Sequence, residues 1–142
     1  MRLNGMYGIS VVLTFIILYF FIWGGDSDNQ QILNTLSHNL KILSPTTNFV
    51  LSENRVSNNT FTLDKKYIFI CLKNKNLNTL MYVAIHELAH IVSKEYGHTT
   101  EFIMHFQDLL KKAIELGVYT YVDYSQTPEP YCNMTLNTMI LK

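Results

Sequence analysis

Two histidines four residues apart, His86 and His90, constrain the fold more than any other feature of the sequence. They flank Glu87 in the run His-Glu-Leu-Ala-His, inside an apolar stretch between Leu80 and Val92. Residues four apart share one face of an α-helix, so a helix would place both imidazoles on the same side. Burying these polar groups is costly unless they find a partner such as a metal ion. The chain is therefore expected to fold around a helix that presents both histidines together.

This spacing suits Zn²⁺, which takes nitrogen donors in a tetrahedral array. Glu87 is rotated by about 100° from His86, so it is not expected to bind the metal and can instead hydrogen-bond a metal-bound water. Zinc lowers the pKa of that water towards about 7, and a neighbouring carboxylate can accept its proton. The pattern therefore predicts His86 and His90 as zinc ligands and Glu87 as the general base.

A catalytic zinc site needs a third protein ligand. The candidates in the sequence are His98, Glu101, His105, Glu95 and His38. His98 is favoured because it follows Gly97, and glycine readily adopts the left-handed conformation that reverses a chain after a helix. Glu101 comes next and His105 after it, since both fall on the following predicted helix. Glu95 has an unfavourable position, and His38 is expected to be a surface or capping residue.

Hydrophobic periodicity predicts helices at 29–43, 78–96 and 100–116, with Gly97 ending the second of them. The β-branched and aromatic run at 67–72 predicts a strand, and a second short strand is expected near 49–51. These elements predict an α+β domain in which a short sheet packs on the motif helix. The edge strand of such a sheet would suit pairing with an extended substrate.

An uncharged run of 18 residues at 6–23 predicts a membrane-spanning helix. Arg2 precedes the run and Asp26 follows it, so the positive-inside rule places the N-terminus in the cytoplasm. The sequence thus predicts a single-pass transmembrane signal anchor at 1–24 and a domain at 25–142 that faces the exterior or a lumen. Cleavage as a signal peptide stays open, although the glycine pair after the run is a poor cleavage site.

The charge and the cysteine content limit the kinds of partner and metal site that can be expected. The 142-residue chain has 11 Lys plus Arg against 11 Asp plus Glu, so no basic footprint for nucleic acid is expected. Cys71 and Cys132 can form a disulfide or stay as two buried thiols, and their spacing excludes a four-cysteine zinc site. Tyr131 is a candidate hydrogen-bond donor to a reaction oxyanion, although a packing role is favoured.

A family resemblance follows from the same residues. The run 86–90, followed by Gly97-His98-Thr99-Thr100-Glu101-Phe102, resembles the zincin metallopeptidases of the WLM and SprT-like type over about residues 77–116. The resemblance implies a zincin-like domain at 25–142, Zn²⁺ bound by His86, His90 and His98, and peptide-bond hydrolysis with Glu87 as general base. Such relatives are associated with proteins crosslinked to DNA, but the neutral charge here predicts a protein or peptide substrate without nucleic acid.

Two other interpretations stay open. The chain could be a non-catalytic, membrane-tethered module whose zinc is structural, or the motif could be degenerate and bind no metal. A structural site has four protein ligands and no open position, whereas a catalytic site has three and a water. A structural site has no use for a carboxylate at Glu87, which favours catalysis.

Overall fold

The computed structural model describes residues 11–19 and 27–141, and the packing divides the chain into two units, Met1–Gln31 and Ile32–Lys142. In the first unit, residues 11–19 form a helix, α1, with exposed apolar side chains. The other elements, in chain order, are α2 (Ser27–Leu43), β1 (Val50–Glu53), β2 (Phe61–Leu63), β3 (Tyr67–Ile70), α3 (Leu77–Val92), α4 (Thr100–Glu115), β4 (Glu129–Tyr131) and β5 (Met134–Leu136).

The strands form a three-stranded sheet in the order β1-β3-β2 and a separate two-stranded sheet of β4 and β5. β1 runs parallel to β3, while β2 runs antiparallel to it and lies at one edge. The turn between β2 and β3 places Asp64 and Lys65 at φ values of 53° and 49°. These left-handed conformations match the right-handed twist of the strands they join, as in type I′ hairpin turns.

The core lies between the three-stranded sheet, α3 and α4. Ile68 and Ile70 of β3 are fully buried, and α3 is apolar over most of its circumference because it is covered by the sheet on one side and α4 on another. Helix α2 adds Leu36 and Leu40 to the same core. Burying each large aliphatic side chain contributes about 1.5–3 kcal/mol, so this shared core holds the motif helix firmly in place.

The α+β class and the short sheet on the motif helix are as predicted, but α3 ends earlier than expected. It stops at Val92, and the hydroxyl of Ser93 donates to the carbonyl of Ala89 over 2.7 Å. Gly97 does adopt the left-handed conformation, with φ of 85°, but it does so in the loop before α4. Thr99 then caps α4 by accepting a hydrogen bond from the amide of Phe102.

The transmembrane anchor predicted at 1–24, and with it a single-pass membrane location, is wrong. Within residues 11–19 and 27–141, no helix combines the length and the apolar character needed to cross a bilayer. Residues 11–19 of the apolar run are helical. The remainder of the predicted span, 6–10 and 20–23, lies outside the described residues.

The C-terminal region contains a short hairpin that the sequence did not predict. β4 and β5 pair antiparallel around a turn that contains Cys132, which forms a disulfide with Cys71 at the end of β3. The alternative of two free thiols is thereby excluded in this structure. The bond ties the C-terminal hairpin to the central strand of the main sheet.

Candidate metal and catalytic site

Helix α3 presents His86 and His90 on one face, with ring centroids 5.0 Å apart. The spacing of four residues produces this arrangement directly, because it corresponds to about one helical turn. Both side chains are partly buried. The two histidines therefore occupy the geometry that the sequence predicted for a pair of metal ligands.

His98 joins them from the loop between α3 and α4. Its Nε2 lies 3.2 Å from the Nε2 of His86, and its ring centroid lies 5.0 Å from that of His90. One nitrogen from each of the three imidazoles falls within 4.8 Å of the others. Nitrogens bound tetrahedrally to one zinc ion would be about 3.3 Å apart, so the three donors fit such an ion with small adjustments.

The other candidates for the third ligand have different roles. The carboxylate of Glu101 accepts hydrogen bonds from the amides of Lys94 and Glu95, at 2.9 and 3.4 Å. His105 lies 3.5 Å from Glu101, and His38 is exposed on α2. Within residues 11–19 and 27–141, none of these side chains joins the three histidines.

The surroundings of His86 and His90 favour the neutral form of these two imidazoles. Burial lowers the pKa of His86 to about 3 and that of His90 to about 4, with further lowering from the neighbouring histidines. Phe102 contributes to this burial, because its ring lies 4.3 Å from that of His90 and 4.9 Å from those of His86 and His98. A neutral imidazole offers the lone pair that a metal ion needs.

Glu87 lies next to the histidines and is almost fully buried, with 7% of its surface exposed. Burial raises the pKa of its carboxyl group, and a hydrogen bond from Thr62 counteracts that effect. The hydroxyl of Thr62 donates to Oε2 of Glu87 over 2.6 Å. One carboxylate oxygen is thus held by the edge strand β2, while the group borders the same cleft as the histidines.

This cleft has a volume of about 350 Å³ and is bounded by the edge strand, the motif helix and the loop before α4. Its lining residues are Thr60, Phe61, Thr62, Lys65, His86, Glu87, His90, Tyr96, Gly97 and His98. Thr62, Lys65 and Tyr96 were not anticipated from the sequence. No local sequence pattern distinguishes Lys65 from its neighbour Lys66.

Tyr131 is buried, and its hydroxyl is engaged by the chain itself. It donates to the carbonyl oxygen of Cys71 over 2.9 Å and lies 2.6 Å from the hydroxyl of Thr60. Thr60 in turn accepts a hydrogen bond from the amide of Cys71. These contacts favour the packing role over that of an oxyanion donor.

His98 and His105, which both follow the helix motif, provide a test of ligand identity. Replacing His98 by Ala is expected to weaken zinc binding by more than the roughly 10- to 100-fold cost of losing an outer-sphere partner, because a direct ligand is lost. The matched control His105→Ala should leave zinc affinity nearly unchanged. Competition with a chromophoric chelator measures both, and the opposite ranking would assign the third ligand to His105.

Comparison with known proteins finds similar viral sequences. The chain is 38% identical over 90 residues to Uncharacterized protein R325 of Acanthamoeba polyphaga mimivirus, covering 58% of this chain and 46% of that protein. It is 41% identical over 68 residues to Uncharacterized protein 136R of Invertebrate iridescent virus 6, covering 42% and 38%. It is 44% identical over 66 residues to Uncharacterized protein 042R of Invertebrate iridescent virus 3, covering 42% of each.

The chain thus spans less than half the length of these relatives. No family model matches the sequence, and no solved structure matches the fold.

Proposed function

We propose that this protein is a zinc-dependent peptidase. The observation that carries this proposal is the convergence of three imidazoles beside a buried glutamate at an open cleft. His86 and His90 come from the motif helix and His98 from the following loop. Glu87 adds a buried carboxylate that borders the same space.

The residues divide the chemistry between them. His86, His90 and His98 would hold the zinc ion through one nitrogen each, which leaves a coordination position for water. A zinc ion held there would lower the pKa of its bound water to about 7 and would polarise the substrate carbonyl. Glu87 accepts the proton of the attacking water and delivers it to the leaving amine. Thr62 holds Oε2 of Glu87, which leaves the other oxygen for proton transfer.

The edge strand favours a peptide over a small substrate. β2 is paired only on its β3 side in the described chain, and residues 60–62 line the cleft. An extended peptide can therefore add to this edge through main-chain hydrogen bonds, as in other cases of strand addition. Such pairing would place a scissile peptide bond next to the histidines and Glu87.

A structural zinc site is less consistent with the arrangement. Structural zinc is closed by four protein ligands, and the ligand group within residues 11–19 and 27–141 contains three. Glu87 would also be buried without a purpose in such a site, at a cost to stability.

Metal removal provides the direct test. The purified full chain is expected to bind about one zinc ion and to cleave casein or a mixed peptide library. Treatment with 1,10-phenanthroline should abolish cleavage, and added zinc should restore it, whereas added magnesium should not. Tight zinc binding without cleavage of any peptide would contradict the enzymatic function, and absence of zinc binding would contradict the metal site itself.

A further inference from the structure

The third ligand differs from the other two in how it is held. His86 and His90 are fixed by a helix that packs in the core. His98 is exposed and lies on a connection between α3 and α4. We call residues 93–98 of this connection the ligand loop. Its backbone must be positioned by groups outside it if His98 is to stay within reach of the other imidazoles.

Lys65 contacts the ligand loop from the hairpin turn between β2 and β3. Its Nζ lies 2.9 Å from the carbonyl oxygen of His90, 2.6 Å from that of Ser93 and 2.8 Å from that of Glu95. The three contacts use all three protons of the ammonium group. The ammonium also lies 4.5 Å from the centroid of the Tyr96 ring, a cation–π distance.

These contacts join the C-terminal end of α3 to the ligand loop. The last carbonyls of a helix have no partner within it and carry partial negative charge, so an ammonium group stabilises them. Lys65 has a φ of 49°, which is unfavourable for a residue with a side chain. The three charge-assisted hydrogen bonds offset this cost, which is consistent with a specific role for the lysine at this turn.

The carboxylate of Glu101 contacts the backbone amides of the same loop. Its two carboxylate oxygens accept from the backbone N–H groups of Lys94 and Glu95, at 2.9 and 3.4 Å. Glu101 is in the first turn of α4, directly after the segment that carries His98. A cation thus holds the carbonyls of the ligand loop, and an anion from another element holds its amides.

We propose that Lys65 and Glu101 are positioning residues that clamp the ligand loop and thereby hold His98 in place for metal binding. This role rests on the proposed zinc site. The clamp acts on the backbone that carries His98, so its loss should affect the metal site before it affects the core. The sheet, α3 and α4 are expected to keep their packing without it, because neither Lys65 nor Glu101 belongs to the hydrophobic core.

Lys65→Met tests the cationic half, because it removes the ammonium and keeps the apolar stem. In the full chain it is expected to weaken zinc binding by roughly 10- to 100-fold, the range for partners that orient a ligand. Lys66→Met removes the same charge from the next residue, whose Nζ lies over the Tyr67 ring, and should leave zinc affinity unchanged. Lys65→Arg, which keeps a cationic donor, should recover part of the affinity.

Glu101→Gln tests the anionic half with a smaller expected loss, because the amide oxygen can still accept one of the two hydrogen bonds. Glu115→Gln, in the last turn of α4, is the matched control. The visible absorption of the cobalt-substituted protein gives a second readout, since it responds to the number and geometry of ligands. It should change in Lys65→Met and Glu101→Gln and stay the same in both controls.

A double-mutant comparison separates positioning from general stability. If Lys65 acts through His98, then Lys65→Met should have little further effect on zinc affinity once His98 is replaced by Ala. An equal loss in both backgrounds would overturn the clamp, as would wild-type zinc affinity and cobalt absorption in Lys65→Met. If Lys65→Met does not fold, the test depends on Glu101→Gln, and wild-type zinc affinity in that variant would overturn the clamp. These outcomes would not contradict the proposed peptidase function. A wild-type chain that binds no zinc would contradict both the clamp and the peptidase function.

Discussion

Replacing Glu87 by Gln is expected to lower peptide cleavage by about 100- to 10,000-fold, the usual contribution of a general base. The amide has nearly the same shape as the carboxylate but cannot accept a proton from water. Thr62 can still donate to the amide oxygen, so the side chain should stay in its buried position. Zinc binding should persist, because the three imidazole donors are unchanged.

The measurement combines cleavage rates with zinc content in the wild type and in Glu87→Gln. Glu115→Gln is a suitable control, since it makes the same chemical change at the end of α4. Full activity in Glu87→Gln would rule out the role of this carboxylate as general base. Loss of zinc together with activity would instead assign Glu87 to metal binding or to the stability of the site.

Loss of the disulfide should have the largest effect on stability. Cys71 and Cys132 are separated by 61 positions in the sequence, and closing a loop of that length restricts the unfolded chain by about 4 kcal/mol. Replacing both cysteines by Ser is therefore expected to lower the free energy of unfolding by about this amount. Urea unfolding monitored by circular dichroism measures the difference from the midpoint and slope of the transition.

Chemical reduction of the disulfide in the wild-type protein tests the same loss independently. The reduced protein should unfold near the midpoint of the Cys71→Ser/Cys132→Ser variant, and a reducing agent should not affect that variant. Two titratable thiols in the native, unreduced protein would contradict the bond. The hydrogen bond from Tyr131 to the Cys71 carbonyl remains in both cases, so the hairpin is not expected to detach completely.

Local sequence pattern was sufficient for the elements that build the core. The periodicity around Leu36 and Leu40 predicts α2, and the apolar run after residue 66 predicts β3, because burial of one face imposes a regular spacing of apolar residues. The short strand β2 and the C-terminal hairpin were missed. Strands of three residues are too short for a period-two pattern to be recognised, and their pairing depends on distant partners.

Hydrophobic composition was not a sufficient basis for the prediction made from the apolar run at 6–23. Hydropathy alone led to the prediction of a membrane anchor in this run. Among residues 11–19 and 27–141, no helix is long and apolar enough to cross a membrane, so the predicted anchor is not supported.

The relative placement of His86, Glu87 and His90 could be predicted from the sequence alone, because it depends only on the pitch of one helix. It ranked His98 first among the candidates for the third donor, but that ranking depended on a chain reversal that local residues can only suggest. Tertiary structure decided that His98 approaches the pair, that Thr62 holds Glu87, and that Lys65 contacts the ligand loop. The contacts of Thr62 and Lys65 join residues that are 25 and 28 positions apart, and the packing of the sheet against α3 brings them within hydrogen-bonding distance.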